Sequence, residues 1–284
     1  MKTRTLALAV SLTLTPNFAA SAEEACELVV VTFDEGAEGW VGPAGPGGGT
    51  VLEEEGGNPG ANLHTVFNDF GITFYNDSNP AFVQDLAVYG QVTIGIDLEV
   101  KDISFFGAPT TRPWLVEIRD FQNTPPGYPW VSVWYLFSDV GVSEWTSWEV
   151  TITDPSMTEL PPGWGGYGAE DPDTFEPILP ADRTFSDVLA GADEIVFTTL
   201  QPGYFFGFTD FDLRIDNIRI AACFVAPCPA DLTGDGQVDG EDLSLLLGEW
   251  GICPPSCPGD ITGDGQVDGE DLSLLLGEWG PCPG

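Results

Sequence analysis

Residues 92–100 read Val-Thr-Ile-Gly-Ile-Asp-Leu-Glu-Val, with an apolar residue at every second position. Successive strand side chains point to opposite faces, so Val92, Ile94, Ile96, Leu98 and Val100 line one face and Thr93, Asp97 and Glu99 the other. A strand with one apolar and one polar face belongs in an antiparallel sheet covered on one side. The same texture continues outward in both directions. Residues 28–33, 114–119, 130–137, 147–153, 194–199 and 211–221 are short runs rich in Val, Ile, Phe, Trp and Thr, separated by Gly, Pro, Asn and Asp. His64, in Asn62-Leu63-His64-Thr65, reads as a further strand position, and only residues 185–189 suggest a helical turn. Seven or more short strands between turn signals predict a mainly β chain built around an antiparallel β-sandwich.

Composition sets the setting. Residues 1–22 have a positive start at Lys2 and Arg4, an apolar stretch from Leu6 to Leu14 and the small residues Ala20-Ser21-Ala22, the pattern of a cleaved export signal. No later run is apolar for the about 18 residues that a membrane helix needs. Without Lys2 and Arg4, six of the 8 Lys+Arg stand against 45 Asp+Glu, a formal charge of −39. Such a field repels nucleic acid and anionic membranes and attracts divalent cations.

Six cysteines in an exported chain predict disulfides. Cys26 and Cys223 bracket the sandwich region near its first and last predicted strands, which suits a bridge between neighbours. Cys228, Cys253, Cys257 and Cys282 belong to the tail. They allow Cys228–Cys253 with Cys257–Cys282, or Cys228–Cys282 with Cys253–Cys257, and both schemes respect the internal repeat.

That repeat is the second decisive stretch. Residues 231–251 read DLTGDGQVDGEDLSLLLGEWG, and residues 260–280 repeat them with a single change, Leu232 to Ile261. Oxygen donors recur at alternate positions and again from the following helix: Asp231, Thr233, Asp235, Gln237 (through its carbonyl), Asp239 and Asp242, then Asp260, Thr262, Asp264, Gln266, Asp268 and Asp271. This is EF-hand-loop spacing, with Gly236 and Gly265 at the sharp turn. An all-oxygen, flexible, many-ligand loop favours calcium over zinc, copper or magnesium, so two calcium ions are expected. Each helix carries an apolar stripe, Leu243, Leu246, Leu247 and Trp250 in one copy and Leu272, Leu275, Leu276 and Trp279 in the other. The two stripes are expected to bury one another, with Gly251 as a helix cap.

The sandwich region resembles the jelly-roll carbohydrate-binding modules and related galactose-binding-like domains. The resemblance lies in Phe33-Asp34-Glu35-Gly36 with Trp40, in Glu144-Trp145-Thr146-Ser147-Trp148 and in Asp216-Asn217-Ile218-Arg219-Ile220. The duplicated loop, each copy followed by Leu-x-x-Leu-Leu, is similar to a type I dockerin. That resemblance implies calcium in both loops and a cohesin-like or cell-surface scaffold partner. Gly240-Glu241 and Gly269-Glu270 stand where such modules usually carry hydroxyl residues. Leu247-Gly248 and Leu276-Gly277 replace the usual basic residues.

The expected organisation is an export signal (1–22), a β-sandwich (23–223) and a small α dockerin-like domain with two EF-hand-type calcium loops (224–284). Sugars stack on flat aromatic faces. Trp114, Trp130, Trp134 and Trp148 lie in strand-like runs and are expected in the core; Trp164 and Tyr167, in the Gly-rich run 161–168, are the candidates for glycan stacking. His64 is the only histidine, and no Gly-x-Ser-x-Gly turn accompanies it, so a structural role is expected. The chain therefore reads as a secreted, non-catalytic binding or surface protein attached through its tail, with polysaccharide as the expected ligand. The rival is a secreted carbohydrate-active enzyme, a glycoside hydrolase or polysaccharide lyase. It would need a carboxylate pair across a cleft or a clustered basic group. The sandwich has only the scattered Lys101, Arg112, Arg119, Arg183, Arg214 and Arg219.

Overall fold

The computed structural model describes residues 26–122, 124–224, 228–253 and 257–282; the predicted export signal lies outside the described residues. In chain order the elements are β1 (Cys26–Val31), β2 (Trp40–Val41), β3 (Ala44–Gly45), β4 (Gly48–Gly57), β5 (Gly60–Asp69), β6 (Thr73–Asn76), β7 (Gln91–Phe105), β8 (Ala108–Pro109), β9 (Arg112–Asp120), β10 (Val131–Val140), β11 (Ser143–Ile152), β12 (Trp164–Tyr167), β13 (Ala169–Glu170), β14 (Pro177–Ile178), helix α1 (Phe185–Ala190), β15 (Glu194–Thr198) and β16 (Thr209–Cys223). The first sheet runs β11-β7-β16-β5-β4-β3, with β1 added on β16 and β8 on β7. The second runs β12-β10-β9-β15-β6-β2. Together they form an antiparallel β-sandwich.

The core lies between the two sheets. Ile94, Ile96 and Leu98 of β7 and Leu213 and Ile215 of β16 face Trp114, Val116 and Ile118 of β9 and Phe197 of β15. The alternation read at 92–100 thus holds residue for residue. Asp97 and Glu99 are nevertheless also buried, on the opposite face. Arg219 covers Asp97, while Lys101 and Arg214 cover Glu99, so the outer surface of the first sheet is roofed by its own charge ladder. β4 gave no strand signal because glycine and glutamate, which fill most of 48–57, are poor strand formers. It forms because β5 lies beside it as a template. Cys26 stands opposite Cys223 in the β1–β16 register, and the two are joined. A cross-link closing so long a segment contributes about 2–4 kcal/mol.

The turn between β4 and β5 is held by carboxylates from β7 and β16. Asp216, fully buried, accepts hydrogen bonds from the backbone N–H groups of Asn58 and Asn217. Asp97 accepts from the side-chain amides of the same two residues. Burial pushes the Asp216 carboxyl up to about 6, and the neighbouring Asp97 and Asp34 add to the shift. A raised carboxyl contributes stability below its unfolded value, about 3.9, which is lost as pH rises through the folded value. The midpoint difference between Asp216→Asn and the unaltered protein should therefore move in the variant's favour from about pH 4 to about pH 7. A difference that stays flat in thermal melts would refute this account of Asp216.

Residues 228–282 have a separate small core. β17 (Gln237–Val238), α2 (Gly240–Gly248), β18 (Gly251–Ile252), β19 (Gln266–Val267), α3 (Gly269–Gly277) and β20 (Gly280–Pro281) follow one another, with β17 paired to β20 and β18 to β19. Ala230, Val238, Leu246, Val267 and Leu275 are buried together. The expected mutual burial of two whole stripes does not occur. Leu246 and Leu275 are enclosed, but Leu247, Trp250, Leu276 and Trp279 stay about half exposed. Each helix has 9 residues and ends before Trp250 or Trp279, and Val238 and Val267 from the short strand pairs complete the core. Gly251 is not the cap either: the helix closes at Glu249, whose N–H reaches back to Leu245 and Leu246, and Gly251 opens β18. Cys228 is bonded to Cys282, which rules out the scheme pairing Cys228 with Cys253. Cys253 and Cys257 occupy the pseudo-twofold counterparts of Cys282 and Cys228.

Candidate functional site

The outward face of the second sheet gathers the polar and aromatic residues that the core does not use. Along β9, Trp114, Val116 and Ile118 turn inward, so Glu117 and Arg119 must turn outward. The register sets Tyr167 of β12, Ser132 of β10, Arg119 of β9 and Glu194 of β15 in one cross-strand row. Arg119 donates through Nε and Nη2 to Glu117 Oε2, at 2.9 and 2.6 Å, and through Nη1 to Glu194 Oε1 at 2.8 Å. Glu117 Oε1 accepts from Trp130 Nε1 at 3.0 Å and from Ser132 Oγ at 2.6 Å. The Arg119 guanidinium lies 3.9 Å from the Trp130 ring centroid, a cation–π contact. Glu117 is 2% exposed and Glu194 7%, so both carboxylates are buried, while the Arg119 side chain keeps 11% exposure. Burial raises the Glu194 carboxyl above its ordinary value, although Arg119 pulls the other way.

Aromatic rings surround this triad. Tyr167 packs 6.0 Å from Trp130 and 5.4 Å from Tyr128, centroid to centroid. Trp134 lies on the next outward row, its indole packed against Gly165: a Cβ there would stand 2.3 Å from the ring, so only glycine admits it. On one side the face opens into a cavity of about 570 Å³ lined by Val41, Thr73, Tyr75, Arg119, Glu194 and Leu200. On the other lies a cavity of about 390 Å³ beside Trp134, Phe175 and Tyr204.

The expected stacking pair is divided. Tyr167 is on this face, but Trp164 turns to the core side of β12, 5.2 Å from Phe185 and 5.6 Å from Tyr135. The strand tryptophans divide as well. Trp114 and Trp148 pack in or against the core as expected, while Trp130 and Trp134 do not. Val131 and Val133 take the inward positions of β10, which leaves Trp134 outward. That parity is present in the sequence, but a tryptophan weighs so heavily as apolar that it masks the signal. Glu117, Arg119 and Glu194 had no sequence signal, being ordinary charges in apolar runs.

His64 has both ring nitrogens engaged, Nδ1 with Glu53 Oε1 at 2.9 Å and Nε2 with Asp212 Oδ1 at 2.8 Å. It ties β4, β5 and β16 together on the outside of the first sheet and has no free nitrogen to act as a base. The hydrogen bond from His64 helps hold the Glu53 carboxyl below its ordinary value. The sandwich cations are all committed. Lys101, Arg119, Arg183, Arg214 and Arg219 are ion-paired. Arg112 is buried against Phe206 and donates to Thr209.

In the tail, each predicted loop curls around its own backbone. Asp231 accepts from Gly234, Asp235 and Gly236 N–H, Asp235 from Gln237 N–H, and Asp239 from Glu241 N–H. Asp242, fully buried, accepts from Thr233 N–H at 3.0 Å and from Asp239 N–H at 2.8 Å. The second copy matches: Asp260 accepts from Gly265 N–H, Asp264 from Gln266, Asp268 from Glu270, and Asp271 from Thr262 and Asp268. Desolvation opposes ionisation of Asp231, but the Gly236, Gly234 and Asp235 N–H groups outweigh it and hold the carboxyl below its ordinary range. Among the described residues no group of three or more His, Cys, Asp or Glu is gathered for a metal ion. The donor chemistry nevertheless suits a hard cation, being entirely oxygen. Gly234 and Gly236, at φ 74° and 84°, keep the loop open, with nothing within 4 Å of where a Cβ would stand.

No family model matches the chain, and no curated protein matches it. Among solved structures, it is similar to the CBM22-2 xylan-binding domain from Paenibacillus barcinonensis Xyn10C, at 11% identity over 68% of this chain and 98% of that one, with a TM-score of 0.40. The CBM22-1–GH10 modules of Clostridium thermocellum endo-1,4-beta-D-xylanase 10B, complexed with xylohexaose, match at 14% identity over 77% of this chain and 36% of that one, with a TM-score of 0.39. A non-crystalline cellulose specific module, CBM28, matches at 15% identity over 67% and 92%, with a TM-score of 0.32.

Proposed function

We propose that this chain is an exported, non-catalytic protein that binds an uncharged polysaccharide on the outer face of its second sheet and is attached through a calcium-loaded, dockerin-like tail. The observation that carries the reading is the ring of Tyr167, Trp130 and Trp134 around the buried Arg119–Glu117–Glu194 triad. Flat aromatic faces offer stacking surface to sugar rings, and fixed polar groups beside them orient hydroxyls. Charge selects among polysaccharides. With every sandwich cation committed and a chain charge of −37, a uronate or sulfated polymer meets repulsion and no counter-charge.

The rival, a carbohydrate-active enzyme, finds a carboxylate pair in Glu117 and Glu194. Glu117, however, accepts four hydrogen bonds, and Arg119 binds both carboxylates, so neither is free to deliver a proton. The experiment is affinity electrophoresis of the full chain through xylan, mixed-linkage glucan, alginate and pectate, with a reducing-sugar assay alongside. Retardation by a neutral polymer is expected, weakened about tenfold in Tyr167→Ala, with no sugar released. Binding to none of the neutral polymers, or release of reducing ends, would overturn the reading.

In the tail, Asp231, Thr233, Asp235, Gln237, Asp239 and Asp242 would hold one calcium ion and Asp260, Thr262, Asp264, Gln266, Asp268 and Asp271 the other. The ion would neutralise carboxylates that otherwise repel one another. Leu247 and Leu276 on the two helices, with Trp250 and Trp279 just beyond their ends, are about half exposed and supply apolar surface for a cohesin-like or scaffold partner. The division implied is an export signal over 1–22, a sandwich over 23–223 and an attachment tail over 224–284.

A further inference from the structure

We infer that Trp134, Phe175 and Tyr204 form an additional subsite that clamps one more uncharged sugar residue at the end of the binding face. The inference rests on the polysaccharide reading and deepens it. Phe175 carries the clue. Its backbone sits at φ 60°, a region that bulky residues avoid, and the residue is 73% exposed, so neither conformation nor burial rewards its presence. The surrounding loop enforces that conformation. Asp171 Oδ1 accepts from the N–H groups of Asp173 and Thr174, both at 2.9 Å, while the Asp171 carbonyl accepts from Phe175 N–H, also at 2.9 Å. The Thr174 and Asp173 N–H groups hold the Asp171 carboxyl below its ordinary value. Across the cavity, the Pro202-Gly203 turn presents Tyr204, itself 66% exposed, and closes against Pro177. The floor is Trp134, whose ring packs against Gly165. Three aromatic walls thus enclose about 390 Å³, and Gln201 and Glu176 at the rim offer donors and acceptors to hydroxyls but no cation.

The test is isothermal titration of the full chain with xylo- and cello-oligosaccharides of three and six units, for the unaltered protein and for Phe175→Gly, Tyr204→Ala and Tyr167→Ala. A hexamer that binds the unaltered protein more tightly than its trimer is expected. Phe175→Gly and Tyr204→Ala should each remove most of that gain, about tenfold, while trimer binding persists. Phe175→Gly should at the same time keep or raise the thermal midpoint, since it relieves the left-handed backbone. If both variants keep the full hexamer gain while Tyr167→Ala loses binding, the end subsite is overturned and the face remains. If no oligosaccharide binds the unaltered protein, the polysaccharide reading falls and the subsite falls with it.

Discussion

Replacing Arg119 by methionine is expected to abolish polysaccharide binding and to destabilise the sandwich by about 3–5 kcal/mol, the cost of breaking a buried ion pair from one side. Arg119 supplies two of the four hydrogen bonds to Glu117, which is 2% exposed, and the only one found on Glu194 among the described residues. Removing it strands two carboxylates in a site where burial already raises Glu194. Trp130 also loses the guanidinium against its ring, so the aromatic surface shifts along with the charge. Adding Glu117→Gln and Glu194→Gln to Arg119→Met removes the stranded charge and should restore a large part of the stability but not the binding. Urea denaturation followed by tryptophan fluorescence measures the first effect, and affinity electrophoresis the second. A single Arg119→Met variant within about 0.5 kcal/mol of the parent would mean that the triad is neither buried nor coupled as described.

Chelating divalent cations is expected to melt residues 228–282 while leaving the sandwich folded. Each loop concentrates four aspartates, and its core is five small or branched side chains, Ala230, Val238, Leu246, Val267 and Leu275. So small a core cannot offset the repulsion without help. Calcium at a thousandfold over its dissociation constant would contribute about 4 kcal/mol per ion. The Cys228–Cys282 bond offsets part of the loss, about 2–4 kcal/mol, so the effect should be largest after reduction. Titration of the reduced and the oxidised chain should give two bound ions, and Asp242→Ala or Asp271→Ala should leave one. Those two carboxylates are fully buried and each joins a loop to its helix, so their loss is felt at both. No heat of binding at millimolar calcium would remove the calcium assignment.

The sandwich was legible because its evidence is local and periodic. Val92 to Val100 alternates, and the strands at 114–119, 194–199 and 211–221 appear within a few residues of where they were read. Cys26 and Cys223 were legible for the same reason, as the ends of the first and last strands. β4 was not, since its glycines and glutamates become a strand only beside β5.

The face was legible only in part. Tyr167 was marked by its glycine-rich run, but its partner there is Trp130 of another strand rather than Trp164 of its own. Arg119 looked like one of several scattered charges. Strand alternation sets Glu117 beside it, 2 residues away on the same strand, but the register alone brings Glu194 onto it from 75 residues away along the chain. In the tail, the repeat dictated two matching loops, and the fold decided how much of each stripe to bury and paired Cys228 with Cys282. Periodicity, repetition and charge are properties of neighbours in the chain, so the sequence by itself determined the sandwich, the duplicated acidic loops and the scarcity of cations. Which tryptophan faces outward and which carboxylate meets an arginine depend on strand register and sheet packing. Those are set by contacts between distant segments, and only the tertiary structure decided them.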